Sequence, residues 1–298
     1  MPYGIVIIFL DADKHVSPFD ILTAIDLYPN AHILSYSDVK AEDARKIVQD
    51  AIFPRGPEGA KHTKLFIGGS DMEEALKILE AAKGSMFPPF EISIIVDPKG
   101  GYTTASAAVA KTLEISVKKG LGELRGKTIT VLASTGAVGL TATRIFAQER
   151  AKVTITSRSP ERASSIAERV NEEMGDERVR GVKAHTSEEV GKAIKEAIII
   201  LAAGASGVQL LTRDILENYG KECRIVADVN AVLPSGIEGL ASNADGDEIF
   251  PNVFGIGALT IGGLKNRVEA ALFKQAIESP KGVFDYDKAY GIAKELVN

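Results

Sequence analysis

Two hydrophobic patterns alternate along almost the whole chain. In the first, apolar residues gather in short runs: "GIVIIFL" (4–10), "AHILSY" (31–36), "KLFIGG" (64–69) and "EISIIVDP" (91–98). Such runs predict strands, and the first reads as a buried parallel strand. In the second, apolar residues recur every three or four positions: 17–28, 37–53, 71–85 and "TTASAAVAKTLEISVKK" (103–119). These predict helices. Ser17 suits an N-cap and Pro18 the first helical position. Ser70 is expected to open "DMEEALKILEAAKGS", whose first turn is acidic. The alternation predicts a mainly parallel sheet covered by helices.

"GLGELRGK" (120–127) interrupts the pattern with glycine and charge. It then restarts as "TITVLA", helix, "KVTITSR", helix, "VKAHT", helix, "AIIILAAG", helix, "CRIVADVN", a second nucleotide-binding type of unit. The segment 255–279 begins glycine-rich and becomes helical, and 285–298 predicts a terminal helix. "NADGDEIFPN" (243–252) is expected as an exposed loop. The fold class is therefore α/β in two domains. One comprises 1–119 plus 266–298, and the other is a Rossmann-type domain over 120–265, with the active site expected in the cleft between them.

Composition narrows the function classes. With 298 residues, 45% hydrophobic and 25% charged, the chain reads as an ordinary globular protein. Its net charge of −5 offers no basic field for nucleic acid or an anionic membrane. An anionic ligand must then be met by local cations or helix N-termini. The six-residue run "IVIIFL" is too short for a membrane span and lacks the basic residues of a signal peptide ahead of it, so a cytoplasmic location is expected. The single cysteine, Cys223, reads as a small residue at a strand entrance. His15, His32, His62 and His185 share no ligand spacing, so no metal site is expected.

Candidate chemistry begins at residue 134. The strand "TITVLA" delivers Ser134, Thr135, Gly136, Ala137, Val138 and Gly139 to the start of a helix. The pattern is G-x-G-x-x-G with Ser134 in place of the first glycine. Gly136 suits backbone approach to a pyrophosphate, and Gly139 suits close packing of the helix. Helix N-terminal amides supply the anion site, with Ser134 and Thr135 as added hydroxyl donors. The following strand ends in Ser157, Arg158 and Ser159, where an NAD site usually carries Asp or Glu. A guanidinium flanked by hydroxyls suits a 2′-phosphate, which predicts NADP as cofactor; a solvated loop arginine is the competing explanation. Ala203 and Gly204 follow the next strand and permit close passage by a cofactor. Asp228 and Asn230 emerge at a carboxyl edge, where ligands bind in open α/β sheets.

The chain resembles the NADP-dependent methylene-tetrahydromethanopterin dehydrogenases, which are distantly similar to methylene-tetrahydrofolate dehydrogenases. The resemblance covers nearly the whole sequence through "SPFD" (17–20), "FIGGSDMEEAL" (66–76), "DPKGGYTTASAAV" (97–109), "STGAVG" (134–139), "ADVNAVLPSGIEG" (227–239), "GIGALTIGGLK" (255–265) and "GVFDYDKAYGIAKE" (282–295). It implies hydride transfer from the methylene carbon of a reduced pterin to NADP, in one-carbon metabolism, by a homo-oligomer. Relatives usually carry Gly at position 134 and often a basic residue at 159, so Arg158 bears more of the 2′-phosphate recognition here. The resemblance implies Lys265 as the catalytic candidate, orienting the substrate ring or tuning its charge. Phe19, Asp20, Asp97, Tyr102 and Thr103 are its substrate-binding candidates. An aromatic ring and a carboxylate suit a flat pterin with N–H donors. For Phe19 the competing explanation is core packing, for Asp20 a helix first turn, and for Thr103 a plain N-cap. In isolation Lys265 reads as a helix-surface lysine. Glycines 255, 257, 262 and 263 imply close backbone approach, either to ligand or to a neighbouring helix.

Hydride transfer needs two carbons held in line, and little acid–base machinery. That agrees with a sequence lacking any nucleophile–base set. Three other readings remain open: a methylene-tetrahydrofolate dehydrogenase, another two-domain NADP oxidoreductase of the shikimate-dehydrogenase kind, and a non-catalytic NADP sensor. The second wants a lysine–aspartate pair, for which Lys64 or Lys99 with Asp97 is a poor match. The third needs none of the N-terminal motifs.

Overall fold

The computed structural model describes residues 3–297. In chain order the elements are β1 (Val6–Asp11), α1 (Pro18–Leu27), β2 (His32–Tyr36), α2 (Ala41–Ile52), α3 (Gly56–Ala60), β3 (Thr63–Gly68), α4 (Met72–Lys83), β4 (Ser93–Val96) and α5 (Gly101–Lys118). Next come β5 (Thr128–Leu132), α6 (Ala137–Gln148), β6 (Lys152–Ser157), α7 (Pro160–Met174), β7 (Val179–Lys183), α8 (Ser187–Ile194), β8 (Ile199–Ala202) and α9 (Arg213–Tyr219). The rest are β9 (Ile225–Asp228), β10 (Asp245–Phe250), β11 (Val253–Ile256), α10 (Ala258–Glu278), β12 (Gly282–Phe284) and α11 (Tyr286–Val297). The chain divides into two compact units. One runs to Thr103 and takes in Asn266–Ile292; the other is Thr104–Lys265 with the chain from Ala293.

The first unit is built on a five-stranded parallel sheet, ordered β12-β4-β3-β1-β2. Its inner strands are apolar on both faces because both are covered: Ile7, Leu10, Leu65, Ile67 and Ile94 have no exposed surface. Phe66 packs against Phe9 and Phe273, with ring centroids 5.0 and 5.5 Å apart. From β1 the chain goes to β2 on one side and to β3 on the other. That switch in direction opens a crevice outside the carboxyl ends of β1 and β3.

The second unit holds a seven-stranded sheet ordered β10-β11-β9-β8-β5-β6-β7, parallel except for the β10–β11 pair. Ile129, Val131, Ile155, Ile199 and Val226 form its buried spine. Here the chain leaves β5 for β6 and β7, then returns to β8 on the other side. The switch point lies between β5 and β8, where the glycine-bearing turn emerges. Among the described residues no helix is long and apolar enough to cross a membrane.

Several local expectations are corrected. Asp71, not Ser70, caps α4, accepting from the amides of Glu73 and Glu74; Ser70 instead donates to the Asp13 carboxylate. The helix expected from 37 starts at Ala41, after the left-handed Asp38. The loop expected over 243–252 contains β10, a charged edge strand paired antiparallel to β11. Such polar edges resist further strand addition and carry no apolar alternation to betray them. The short α3 and β12 were not foreseen. In the expected terminal helix, Asn298 lies outside the described residues.

Candidate functional site

In the second unit, β5 ends at Leu132 and the turn follows. Ala133 takes the left-handed conformation, φ 54°, and its amide donates to Thr156 Oγ1 at 2.9 Å. Ser134 is not among the positive-φ residues, so glycine's conformational freedom is needed one position earlier than the motif suggests. This explains how serine is accommodated. Ser134 is fully buried, and both its amide and its hydroxyl donate to the Thr156 carbonyl, at 3.2 and 3.1 Å. The expected hydroxyl donation to a ligand is therefore replaced by a tie between β5 and β6.

Gly136 and Gly139 divide the remaining work. A Cβ on Gly139 would sit 2.5 Å from Ser134 Cα and 2.9 Å from its carbonyl, so only glycine lets α6 start against the turn. A Cβ on Gly136 would meet no protein atom within 4 Å. Gly136 is the N-cap of α6, and no side chain caps that helix. By contrast, side chains cap α1, α4, α7, α8 and α9. The first turn of α6 thus has no side-chain cap and an open N-cap position, the kind of helix start that can receive a pyrophosphate.

β6 lies beside β5 in parallel register, with Val131 opposite Ile155, so its carboxyl end adjoins the turn. Ser157 Oγ accepts from the Ser159 amide; Ser159 caps α7 and donates to Glu161. Both hydroxyls shape the loop. Arg158 between them is exposed and makes no hydrogen bond or ion pair among the described residues. A guanidinium without a protein partner on this loop is available to an anionic group. Ala203 donates its amide to the Leu132 carbonyl at 3.0 Å, joining the exits of β8 and β5. Gly204 leaves room for Leu210, whose Cδ1 would lie 2.8 Å from an added Cβ.

Asp228 and Asn230 build the loop after β9. The Asp228 carboxylate accepts from the amides of Asn230 and Ile237, at 2.9 and 3.2 Å, and burial raises its pKa above the ordinary carboxylate value. Asn230 spans the loop, donating to the Pro234 carbonyl and accepting from the Val232 amide. Both line a pocket of about 250 Å³ with Ser235, Ser242 and Gly257. Lys265 follows in α10. It is 7% exposed, so the surface-lysine expectation gives way to an enclosed one. Gly255 and Gly257 are needed for packing, since added Cβ atoms would strike Leu240 and the carbonyls of Ala241 and Ser242. Gly262 and Gly263 have no such neighbour. Packing against a neighbouring helix therefore does not account for two glycines inside α10, where each costs roughly 1 kcal/mol relative to alanine.

In the first unit, candidates gather along the carboxyl edge of the sheet. Phe19 is 51% exposed, which corrects the core-packing alternative, and Asp20 is buried in the first turn of α1. Asp97 is fully buried and accepts from the amides of Tyr102 and Thr103 and from the Thr103 hydroxyl, at 2.8, 3.2 and 2.5 Å. Thr103 is therefore not an N-cap; it lies inside α5 and steadies the turn before it. Tyr102 packs edge-on against Tyr286. With Asp97 and Thr103 enclosed, their bearing on a ligand runs through the turn they hold. Two features of this edge were not read from sequence. Asp11 is buried at the end of β1, accepts from the amides of Asp13 and Ser17, and is raised in pKa by burial. Lys99 takes the left-handed conformation, φ 53° and ψ 32°. The signals available were "DADKH" and "DPKGG". Elsewhere, burial pushes the Cys223 thiol up to about 12, leaving it inert as a nucleophile. All four histidines are exposed.

Fold and site together define a two-unit α/β protein with a Rossmann-type NAD(P)-binding half. Residues 116–248 match the family described as shikimate / quinate 5-dehydrogenase, and residues 18–99 match methylene-tetrahydromethanopterin dehydrogenase, N-terminal. A shikimate 5-dehydrogenase structure from Listeria monocytogenes shares the fold at a TM-score of 0.51, with 14% identity and coverage of 97% of this chain and 96% of that one. The chain is 35% identical over 287 residues to the NAD(P)-dependent methylenetetrahydromethanopterin dehydrogenase of Methylorubrum extorquens, covering 95% of both. It is also 35% identical to the bifunctional protein MdtA of that organism, covering 96% of both. The chain belongs to the methylene-tetrahydromethanopterin dehydrogenase family.

Proposed function

We propose that this chain transfers hydride between methylene-tetrahydromethanopterin and NADP. The methylene carbon gives up one hydrogen with its two bonding electrons. The products are methenyl-tetrahydromethanopterin, a cation, and NADPH, with no proton released. The relative named NAD(P)-dependent methylenetetrahydromethanopterin dehydrogenase, 35% identical over 95% of both chains, carries this reading. The nicotinamide ring of bound NADP supplies the hydride acceptor. The protein's share is binding and alignment, since no proton has to be moved at the reacting carbon.

The first-turn amides of α6, the helix that Gly136 caps, hold the pyrophosphate, and Arg158 pairs with the 2′-phosphate, favouring NADP over NAD. The loop braced by Asp228 and Asn230, with Ala203 and Gly204, shapes the pocket beyond. Phe19 offers its exposed ring to the flat pterin, and Asp20 accepts from a pterin N–H. Gly262 and Gly263 give the substrate access to the α10 backbone, and Lys265 orients the ring that carries the methylene group. Asp97, Tyr102 and Thr103 hold the turn on the same edge. Participation in one-carbon metabolism and homo-oligomeric assembly are what the family resemblance implies.

The test follows NADPH and methenyl-pterin absorbance, with NADP or NAD and each methylene carrier in turn. Rapid signal with tetrahydromethanopterin and NADP is the expected outcome. Signal with tetrahydrofolate alone would keep the reaction and change the carrier. Silence with both, in protein that binds NADP, would overturn the reading.

A further inference from the structure

Among the described residues, five other than glycine have positive φ: Asp38, Lys99, Ala133, Arg150 and Asn252. Asp and Asn visit this region with help from their short polar side chains. Arg150 occupies the position just after the C-cap of α6, where left-handed residues are common. Ala133 sits in the turn assigned above to the cofactor. Lys99 has none of these local excuses. Glycine would remove its steric penalty, and the chain places glycine at both following positions, 100 and 101. A lysine is nevertheless kept at 99.

The surroundings define what that lysine offers. Asp97 and Pro98 are buried, and Asp97 fixes the turn through its bonds to Tyr102 and Thr103. Lys99 is exposed, and its ammonium makes no hydrogen bond or ion pair among the described residues. It stands just beyond β4, next to β3, whose carboxyl end flanks the crevice of this unit. A rigid turn thus presents an unneutralised cation along the edge that bears the other substrate candidates. Reduced pterin carriers of one-carbon units have a flat head where the chemistry occurs and an anionic tail remote from it.

We infer that Lys99 is a specificity-determining residue that pairs with the anionic tail of the carrier. The inference rests on the pterin reading above and extends it to the far end of the substrate. One charge-assisted contact of this kind amounts to about a tenfold preference.

The experiment compares kcat/KM for the full methylene carrier with that for a truncated carrier, which keeps the pterin and its arylamine but ends before the tail. Wild type, Lys99→Gly and Lys99→Arg are measured at low and moderate salt, with thermal melting of each. Lys99→Gly should lower the full-to-truncated ratio about tenfold, through KM, and wild type should lose part of its preference as salt rises. Lys99→Arg should restore most of it. Because glycine suits this backbone, the melting temperature of Lys99→Gly should be no lower than that of wild type. A ratio within twofold of wild type in Lys99→Gly would overturn the inference while leaving the dehydrogenase reading intact. So would a lower melting temperature with both carriers equally affected. Wild-type protein silent with every carrier would instead remove the reading, and the inference with it.

Discussion

Alanine at Gly139 and alanine at Gly136 should have opposite consequences, although the two positions lie three residues apart in one motif. At Gly139 the added methyl would lie 2.5 Å from Ser134 Cα and 2.9 Å from Ser134 C and O, all backbone atoms that cannot swing aside. Ordinary contact begins near 3.4 Å, so helix or turn must shift by about 1 Å. Overpacking of this kind costs roughly 3 kcal/mol at the upper end, offset by about 1 kcal/mol from alanine's helix propensity. The net loss of about 2 kcal/mol corresponds to a fall of roughly 4–8 °C in melting temperature. At Gly136 the methyl meets no protein atom, and φ −87° with ψ 173° is open to any residue. Loss of the glycine N-cap and the lower entropy of the unfolded chain nearly cancel, to within about 0.5 kcal/mol. On the proposed function the methyl narrows the approach of the pyrophosphate to the helix that Gly136 caps. Loss of one charge-assisted bond to the pyrophosphate should raise the Kd for NADP about 10- to 100-fold. Thermal melting without ligand, and titration with NADP, measure both quantities for both variants. The assignment is refuted if Gly136→Ala binds NADP within threefold of wild type, or if it melts as early as Gly139→Ala.

Arg158→Ala should weaken NADP by about tenfold or more and NAD little, because only NADP carries the 2′-phosphate; equal losses would refute the phosphate assignment. Lys265→Ala should cut turnover while the Kd for NADP stays near wild type; a fall in melting temperature with unchanged turnover would make the residue structural. Lys64 supplies a pH-dependent test of the first unit. Its ammonium is buried against the Ser279 carbonyl and the Ser93 hydroxyl, and burial lowers its pKa from 10.5 to about 8. Below pH 8 it is protonated both folded and unfolded, and the cost of burying the charge is fully present. Between pH 8 and 10.5 the unfolded chain binds more protons, so stability rises with pH. Urea unfolding should therefore show wild type gaining on Lys64→Met through that window, by at most about 3 kcal/mol. A difference flat in pH would refute the burial argument.

Much of this protein is legible in one dimension because much of its architecture is periodic. Continuous apolar runs gave the inner strands, three- and four-residue spacing gave the helices, and the restart after residue 120 gave a second α/β pattern. The strand–turn–helix unit from β5 to α6 was legible for a similar reason: its strand, glycines and helix are contiguous, so the local sequence carries the local geometry. Residues whose role depends on distant neighbours were not. β10 reads as a loop because its stability comes from pairing with β11 and not from its own pattern. Ser134 reads as a ligand donor until Thr156, from the adjacent strand, is seen to accept its hydroxyl. Lys64 and Lys265 read as ordinary lysines because burial is set by everything packed around them. The left-handed turn at Lys99 leaves no mark beyond the glycines beside it. The sequence determined which segments become strands and helices, through the periods of the backbone. Tertiary structure alone decided which strand ends meet, which charges lose their water and which glycines face empty space, because those depend on contacts between residues far apart in the chain.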